Sequence, residues 1–528
     1  MTAGWPPEGL VGDSSAVRIS LGMFGPEQYR CPASDVFKAR GLRARERPRW
    51  KPEALEAFTN GPFMAAADEL ERTVDEPPPS APRRGQPRPV HDGVRQWTEH
   101  ALRMYREAFP DDSGLRPARA PWVYRHQGPA PDGPNGVEYR ITAWGRYFES
   151  PDARLRELRL PVNRLRDRTD AERAVAALVA AEGTSDPRVE QVRVVQFALS
   201  DGRAQSVFEG TRLEAVAAHR AHGAPAVRAL LDGREYRPGS ACASCAVAPA
   251  CPSLRRAGGL LGVSDRSRPR RTWSSTTGRA HRSCPARGYL RGLRLPVDGN
   301  RERGAAAERG RAIHAFLAER HGQRPHAPCR TEIPDDWVPE GYRLPDEERR
   351  LGARLLRHHA EVCPLRIAGP QSRVEVEPKL AFDDTAADLV VLTEPDLLYQ
   401  ERNGAWVWRE TKTSGSDRTC RDPLASYPQL ALALRIIGAG ALADGQAGQA
   451  GGRVELEVLQ PGGVDLHTLD PFDPRTRAAA EAAVREQVAG WHSEDLFAAV
   501  PGPDCAGCEM ARWCSARQPR QAAPEATP

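Results

Sequence analysis

Residues 394–413 read Glu-Pro-Asp-Leu-Leu-Tyr-Gln-Glu-Arg-Asn-Gly-Ala-Trp-Val-Trp-Arg-Glu-Thr-Lys-Thr. An apolar run up to Tyr399, a turn-forming Asn403-Gly404 pair and a return beginning at Trp406 and Val407 predict a β-hairpin closed by a tight type I′ turn. Side chains alternate along a strand, so Glu410 and Lys412 share one face, and pairing across the turn brings Asp396 back beside them. Two carboxylates and an ammonium in one small volume suit a divalent cation and a water held next to a phosphate. A surface hairpin with scattered charges is the bland alternative. Against it, only four of the 75 basic residues are Lys (Lys38, Lys51, Lys379 and Lys412). A lysine kept beside Glu410 in so Arg-biased a chain points to a need for a compact, tunable ammonium.

The chain around this hairpin is too long for one core, since 528 residues imply two or more domains. A net charge of +5 permits nucleic-acid binding without requiring it. The first twenty residues have neither a basic nor an apolar signal region. The most apolar stretch, 430–443, is short and carries Arg435, so no membrane span and a cytoplasmic location are expected. No G-x4-GK[ST] phosphate loop occurs, so any ATP-driven unwinding would need a separate helicase or ATPase.

Eleven cysteines in a large cytosolic chain favour metal or cluster ligation over disulfides. Cys31 stands alone before Pro32, and Cys242, Cys245 and Cys251 follow far downstream as C-x2-C-x5-C. The pattern then restarts with Cys284 before Pro285, and with Cys505, Cys508 and Cys514 at the same C-x2-C-x5-C spacing. Order, spacing and the Cys-Pro dipeptide all repeat, which predicts two copies of one module, each closed by cysteines from its two ends. The expected division is a first module at 1–254, a basic linker at 255–272, a second module at 273–517 and a frayed tail at 518–528. The eight Arg and one Asp between Arg255 and Arg282 fit a tether or surface arm.

In the first copy, Asp92 to Phe109 is a predicted helix, and Val137 to Leu160 a hairpin turning at Pro151-Asp152. Aligned on the second copy, Glu157-Leu158-Arg159 falls on Glu410-Thr411-Lys412, and residues 143–145 on Asp396. None of residues 143–145 binds a metal, so this copy is expected to be degenerate. In the second copy, helices are predicted near 305–320, 346–362, 424–437 and 475–491, with strands near 373–382, 388–399 and 454–459. Zinc sites usually draw ligands as two close pairs, whereas one-plus-three cysteine layouts also suit a [4Fe–4S] cluster, so both remain open for each set. Cys329, Cys363 and Cys420 lie outside the pattern and read as ordinary residues.

Pro395-Asp396 with Glu410-Thr411-Lys412 resembles the motif of the PD-(D/E)XK nuclease superfamily. The second copy resembles its RecB/AddB-like branch, and the cysteine layout is similar to that of CRISPR-adaptation exonucleases. Ser274-Ser275 leading to Cys284-Pro285, the Gly310-x3-His314 helix and the helix opening at Gln429 carry the rest of the likeness. The resemblance implies an α/β, restriction-endonuclease-like core with a mixed sheet flanked by helices, present as two tandem copies, the first degenerate. It implies Mn²⁺ or Mg²⁺ held by His314, Asp396 and Glu410, with Lys412 beside the attacking water and Gln429 orienting the strand. It also implies a [4Fe–4S] cluster on Cys284, Cys505, Cys508 and Cys514, and a second such cluster or Zn²⁺ on Cys31, Cys242, Cys245 and Cys251. The implied activity is metal-dependent DNA hydrolysis, exonucleolytic before endonucleolytic, on single-stranded DNA or DNA with ends, in repair, recombination or defence against foreign DNA. A non-cleaving DNA-binding scaffold or helicase-partner subunit is the alternative. One departure is Ala433, where the branch's Q-x3-Y pattern has Tyr.

Overall fold

The computed structural model describes residues 6–12, 15–26, 30–46, 51–71, 88–110, 114–131, 133–184, 186–297, 304–334, 336–368, 372–442 and 451–516, so the expected tail at 518–528 lies outside the described residues. The chain divides into two compact units. One comprises Met1–Ser253, Tyr289–Asp298 and Asp495–Pro528, and the other Leu254–Gly288 and Gly299–Glu494.

The strands of the first unit are β1 (Leu10–Gly12), β2 (Ala16–Ser20), β3 (Leu42–Ala44), β4 (Arg116–Pro117), β5 (Val123–Ala130), β6 (Gly133–Thr142), β7 (Arg146–Glu149), β8 (Leu155–Val162), β9 (Gln191–Ala198) and β10 (Ala204–Thr211). Its main sheet runs β10-β9-β8-β7-β4, with β8 and β9 parallel and the other neighbours antiparallel. A parallel pair needs a crossover, which the helix Asp170–Glu182 supplies. Thr169 and Glu172 form a capping box at its start, and its Ala, Val and Leu side chains fill a core with Leu158 and Leu160. A smaller sheet, β2-β6-β5, lies beside it in sequence, with β2 parallel to β6. The helix Asp92–Ala108, close to its expected bounds, sets Trp97 and Tyr105 in a second core with Phe148, Phe197 and Trp513.

The second unit contains β11 (Arg255–Arg256), β12 (Thr272–Trp273), β13 (Val374–Val376), β14 (Leu380–Asp384), β15 (Leu389–Thr393), β16 (Leu397–Gln400), β17 (Trp406–Thr413), β18 (Gly452–Gln460) and β19 (Gly463–Leu469). The main sheet runs β13-β16-β17-β18-β19, again with one parallel pair, β17 and β18. The helix Gln429–Gly438 makes that crossover, and the helix Pro474–Ser493 packs on it. A second sheet runs β11-β14-β15-β12.

Four local differences from the sequence reading have physical causes. The central hairpin loop spans 401–405, and only Gly404 has positive φ (83°). A type I′ turn needs left-handed backbone at both central residues; here Asn403 instead accepts the Ala405 N–H through Oδ1 at 2.9 Å. Each of the two long expected strands is split in two, into β13 and β14 and into β15 and β16. The hairpin expected over 137–160 is the β7–β8 pair, and 137–142 belongs to β6 in the other sheet. The Arg-rich stretch 255–272 does not lie free. Its ends pair with β14 and β15, Leu260 and Leu261 are buried, and Arg270 is bound between Asp383 at 2.8 Å and Asp388 at 2.6 Å.

Candidate active site

β17 is buried from Trp406 through Thr411 and emerges at Lys412. The β16–β17 register pairs Leu397 with Arg409, so one step further Asp396 stands opposite Glu410 on the same face. Lys412 Nζ lies 3.3 Å from Asp396 Oδ2 and 3.2 Å from Glu410 Oε2. Asp396 Oδ2 also accepts the Thr411 backbone N–H at 2.7 Å, and Trp408 Nε1–H donates to Glu410 Oε1 at 3.0 Å. The fourth member arrives on the helix Ala305–Gly322, where His314 Nδ1 is 3.3 Å from Asp396 Oδ1. Gly310 explains how this helix comes so close, because a Cβ there would sit 3.2 Å from Thr413 Oγ1 at the end of β17. The structure thus brings together His314, Asp396, Glu410 and Lys412. Gln429 opens the crossover helix, and its Oε1 accepts from Arg279 Nη2 at 3.2 Å. Ala433 is fully buried within that helix.

The electrostatics follow from crowding charges in a mostly buried volume. Burial pushes Asp396 up, but the hydrogen bond with His314 and the charges of Lys412 and His314 outweigh it and hold the carboxyl at about 2. Glu410 is raised, by burial first and by the Asp396 charge second, with Lys412 opposing. Burial disfavours the charged forms of Lys412 and His314; the neighbouring carboxylates outweigh it, and both are raised. Two carboxylates and an imidazole converging where a strand reaches solvent form a donor set that fits a hard or borderline divalent cation.

Glu377 was missed in the sequence. It precedes Pro378 yet has φ +45°, its N–H donates to the Asp396 carbonyl at 3.3 Å, and its charge acts on His314. A pre-proline residue favours extended backbone, so this conformation is strained and follows only from the tertiary context. Glu394, pushed up chiefly by burial and further by Glu377 and Asp396, adds to the same acidic wall.

In the first unit, Glu157 and Arg159 do not occupy the positions expected of them. They bind each other at 2.6 Å and face the Asp92–Ala108 helix, where Arg159 Nη1 donates to Tyr105 Oη at 3.0 Å. Leu158 and Leu160 face the crossover-helix core instead. An odd shift of register moves every side chain to the other face.

Cys505, Cys508 and Cys514 fall in the first unit, whereas Cys284, Cys329, Cys363 and Cys420 fall in the second. Cys31, Cys242, Cys245 and Cys251 all belong to the first unit and form no disulfide. Cys31 Sγ accepts the Arg237 N–H at 3.5 Å, Cys242 Sγ accepts the Gly239 N–H at 3.3 Å, and Ser34 Oγ is 3.6 Å from Cys245 Sγ. Tyr236 is pushed up to about 12, by burial first and then by the charges of Cys251 and Cys31, and it packs with Cys31 and Cys245 on the cluster of Ala33, Phe37 and Val247. Backbone N–H groups aimed at sulfur fit thiolate ligation of a zinc ion or a cluster. The stretch with Cys505, Cys508 and Cys514 repeats this local fold. Its short 3₁₀ turns at Pro503–Gly507 and Ala511–Trp513 match Ser240–Ser244 and Ala248–Ala250, and the Gly502 N–H donates to Cys505 Sγ at 3.3 Å. Cys284 caps the helix Ser275–Ser283 in the second unit. Cys329 and Cys363, passed over as ordinary, come together with His321 and His359.

Fold and site define an α/β protein whose second unit carries a His-Asp-Glu-Lys centre on a mixed sheet. Residues 272–515, a little under half of the chain, match the family model of the PD-(D/E)XK nuclease superfamily, whose members are mostly nucleases. No curated protein matches the chain. Among solved structures, one titled "Crystal structure of SSO0001" is similar at 16% identity and a TM-score of 0.20, covering 33% of this chain and 79% of that one. Among the described residues, no helix is long and apolar enough to cross a membrane.

Proposed function

We propose that the chain is a metal-dependent DNA nuclease acting on single-stranded DNA or DNA ends, as an exonuclease rather than an endonuclease, in the repair, recombination or defence of DNA. The observation that carries this reading is the convergence of His314, Asp396, Glu410 and Lys412 where β17 reaches solvent. Mn²⁺ or Mg²⁺ would be held by His314, Asp396 and Glu410; when bound it neutralises phosphate charge and lowers the pKa of a coordinated water. His314 and Asp396 hold each other in position, and the Thr411 N–H fixes the second Asp396 oxygen. Lys412, charged beside both carboxylates, stabilises negative charge developing on the phosphoryl oxygens. Gln429, held by Arg279, orients the strand.

The same reading takes the chain as two tandem RecB/AddB-like modules, 1–254 and 273–517, the first without a catalytic set. What supports it is the repeated sheet order, one parallel pair flanked by antiparallel neighbours in each unit, together with the repeated cysteine turns. Laid over each other by sheet register, Gly145 corresponds to Asp396, Leu160 to Glu410 and Val162 to Lys412. A cluster or zinc on Cys31, Cys242, Cys245 and Cys251 completes the first module. A separate helicase or ATPase would supply any unwinding.

End-labelled single- and double-stranded DNA, incubated with Mn²⁺ or Mg²⁺ and anaerobically purified protein, tests the reading. Cleavage by the wild type that disappears in Asp396→Asn is expected, and the product ladder gives polarity. Intact DNA with a folded, cluster-loaded wild type would favour the non-cleaving scaffold, a reading that the buried Ala433 in place of Tyr also favours.

A further inference from the structure

We propose that the second unit holds a structural zinc ion on His321, Cys329, His359 and Cys363, independently of whether the chain cleaves DNA. One ligand atom from each of the four lies within 4.8 Å of every other. The Nε2 atoms of His321 and His359 are 3.2 Å apart, and His321 Nε2 is 3.5 Å from Cys329 Sγ and 3.9 Å from Cys363 Sγ. A tetrahedral zinc with ordinary bond lengths separates two nitrogens by about 3.3 Å, and a nitrogen from a sulfur by about 3.6 Å. These three separations therefore match edges of a zinc coordination tetrahedron to within about 0.3 Å.

The connections around the four groups fit the same assignment. His359-x3-Cys363 places two ligands on one side of the end of the helix Asp346–Val362, while His321 closes the helix Ala305–Gly322 and Cys329 follows it. His359 Nδ1 is bound to Glu457 Oε1 at 2.7 Å, and Glu457 is fully buried on β18. A carboxylate on one imidazole nitrogen fixes the ring and leaves Nε2 to face a metal, the usual arrangement around zinc-bound histidine. The Cys329 N–H donates to Cys363 Sγ at 3.3 Å, which favours a thiolate. Two sulfurs and two imidazoles suit zinc rather than Mg²⁺ or Mn²⁺, and four protein ligands make a closed, structural site.

Such an ion ties the ends of two helices to the sheet beside the hydrolytic centre. Glu457 Oε2 accepts from Thr411 Oγ1 at 3.2 Å, and the Thr411 N–H holds Asp396 at 2.7 Å. His314 lies about two turns before His321 on the same helix. The zinc thus fixes the height and rotation of the helix that presents His314.

The test uses the full-length protein purified without chelator. Metal analysis should give one zinc per chain more in the wild type than in Cys329→Ser or in His321→Gln, with circular dichroism verifying the fold. Equal zinc in wild type and folded variants overturns the proposal. Should the variants not fold, the wild type still decides. Site-resolved alkylation of Cys329 should speed up at least tenfold when a zinc chelator is added and slow again when zinc returns. A rate indifferent to chelator identifies a metal-free hydrogen-bonded cluster, and loss of both thiols restored only by reductant identifies a Cys329–Cys363 disulfide; either outcome overturns it.

Discussion

Replacing Lys412 with methionine keeps most of the side-chain volume and removes only the ammonium. That ammonium lies 3.3 Å from Asp396 and 3.2 Å from Glu410. At an effective dielectric of ~20, each contact is worth roughly 5 kcal/mol of gross attraction, most of it offset by the cost of burying the charges. The variant should therefore keep its fold, with one carboxylate taking up a proton in place of the lost charge. Its chemistry should suffer more. Removing one preorganised donor to developing negative charge costs about 10²- to 10³-fold, or roughly 3–4 kcal/mol. Metal binding should move the other way, because a cation no longer competes with Lys412 for the two carboxylates. An affinity gain of around tenfold corresponds to ~1.4 kcal/mol. Single-turnover cleavage with saturating Mn²⁺, beside calorimetric titration of Mn²⁺, separates the two effects. Cleavage within about threefold of wild type would refute the assigned role of Lys412. Parallel loss of cleavage and Mn²⁺ binding would instead mark Lys412 as a structural support of the ligand set.

Three further outcomes are expected. His314 is raised above its ordinary 6.5 and Glu410 above its ordinary 4.5, so a cation competes with protons at both groups up to a higher pH than at free side chains. Mn²⁺ affinity should rise with pH through and beyond 6.5 before levelling off, with proton release visible by calorimetry in buffers of different ionisation enthalpy. Arg409 is buried between Glu455, which it binds at 2.6 Å, and Glu457 at 3.6 Å. Arg409→Leu leaves those carboxylates without their cation and should destabilise the second unit by about 3–5 kcal/mol in denaturant unfolding. Gly145→Asp should not begin to rebuild a site in the first unit. A Cβ there would meet the Arg159 carbonyl oxygen at 2.5 Å, so a loss of roughly 1–3 kcal/mol with no gain of Mn²⁺ binding is expected by the same assays.

The sequence by itself determined the hairpin, the helices that flank it and the identity of Asp396, Glu410 and Lys412 at its mouth; His314 followed only from the family resemblance of its helix. Strand alternation, the Asn403-Gly404 pair and the helical apolar stripe are local signals, and short-range sterics read them directly. The 346–362 helix and the face shared by Glu410 and Lys412 came from that source. What depends on partners distant in the chain was decided only by tertiary structure. The β7–β8 register turned Glu157 and Arg159 toward Tyr105, because the first unit buries them as an ion pair against a helix. Sheet pairing drew the ends of the Arg-rich stretch 255–272 into β11 and β12, and between them Asp383 and Asp388 neutralise Arg270. Glu377 lies in the left-handed region before a proline, which no local preference predicts. Cys329 and Cys363 looked ordinary because the two pairs, His321 with Cys329 and His359 with Cys363, are brought together only when their helices pack. Metal-ligating chemistry is legible in a chain when its ligands are close in sequence; when helix packing assembles them, the ligand set exists only in three dimensions.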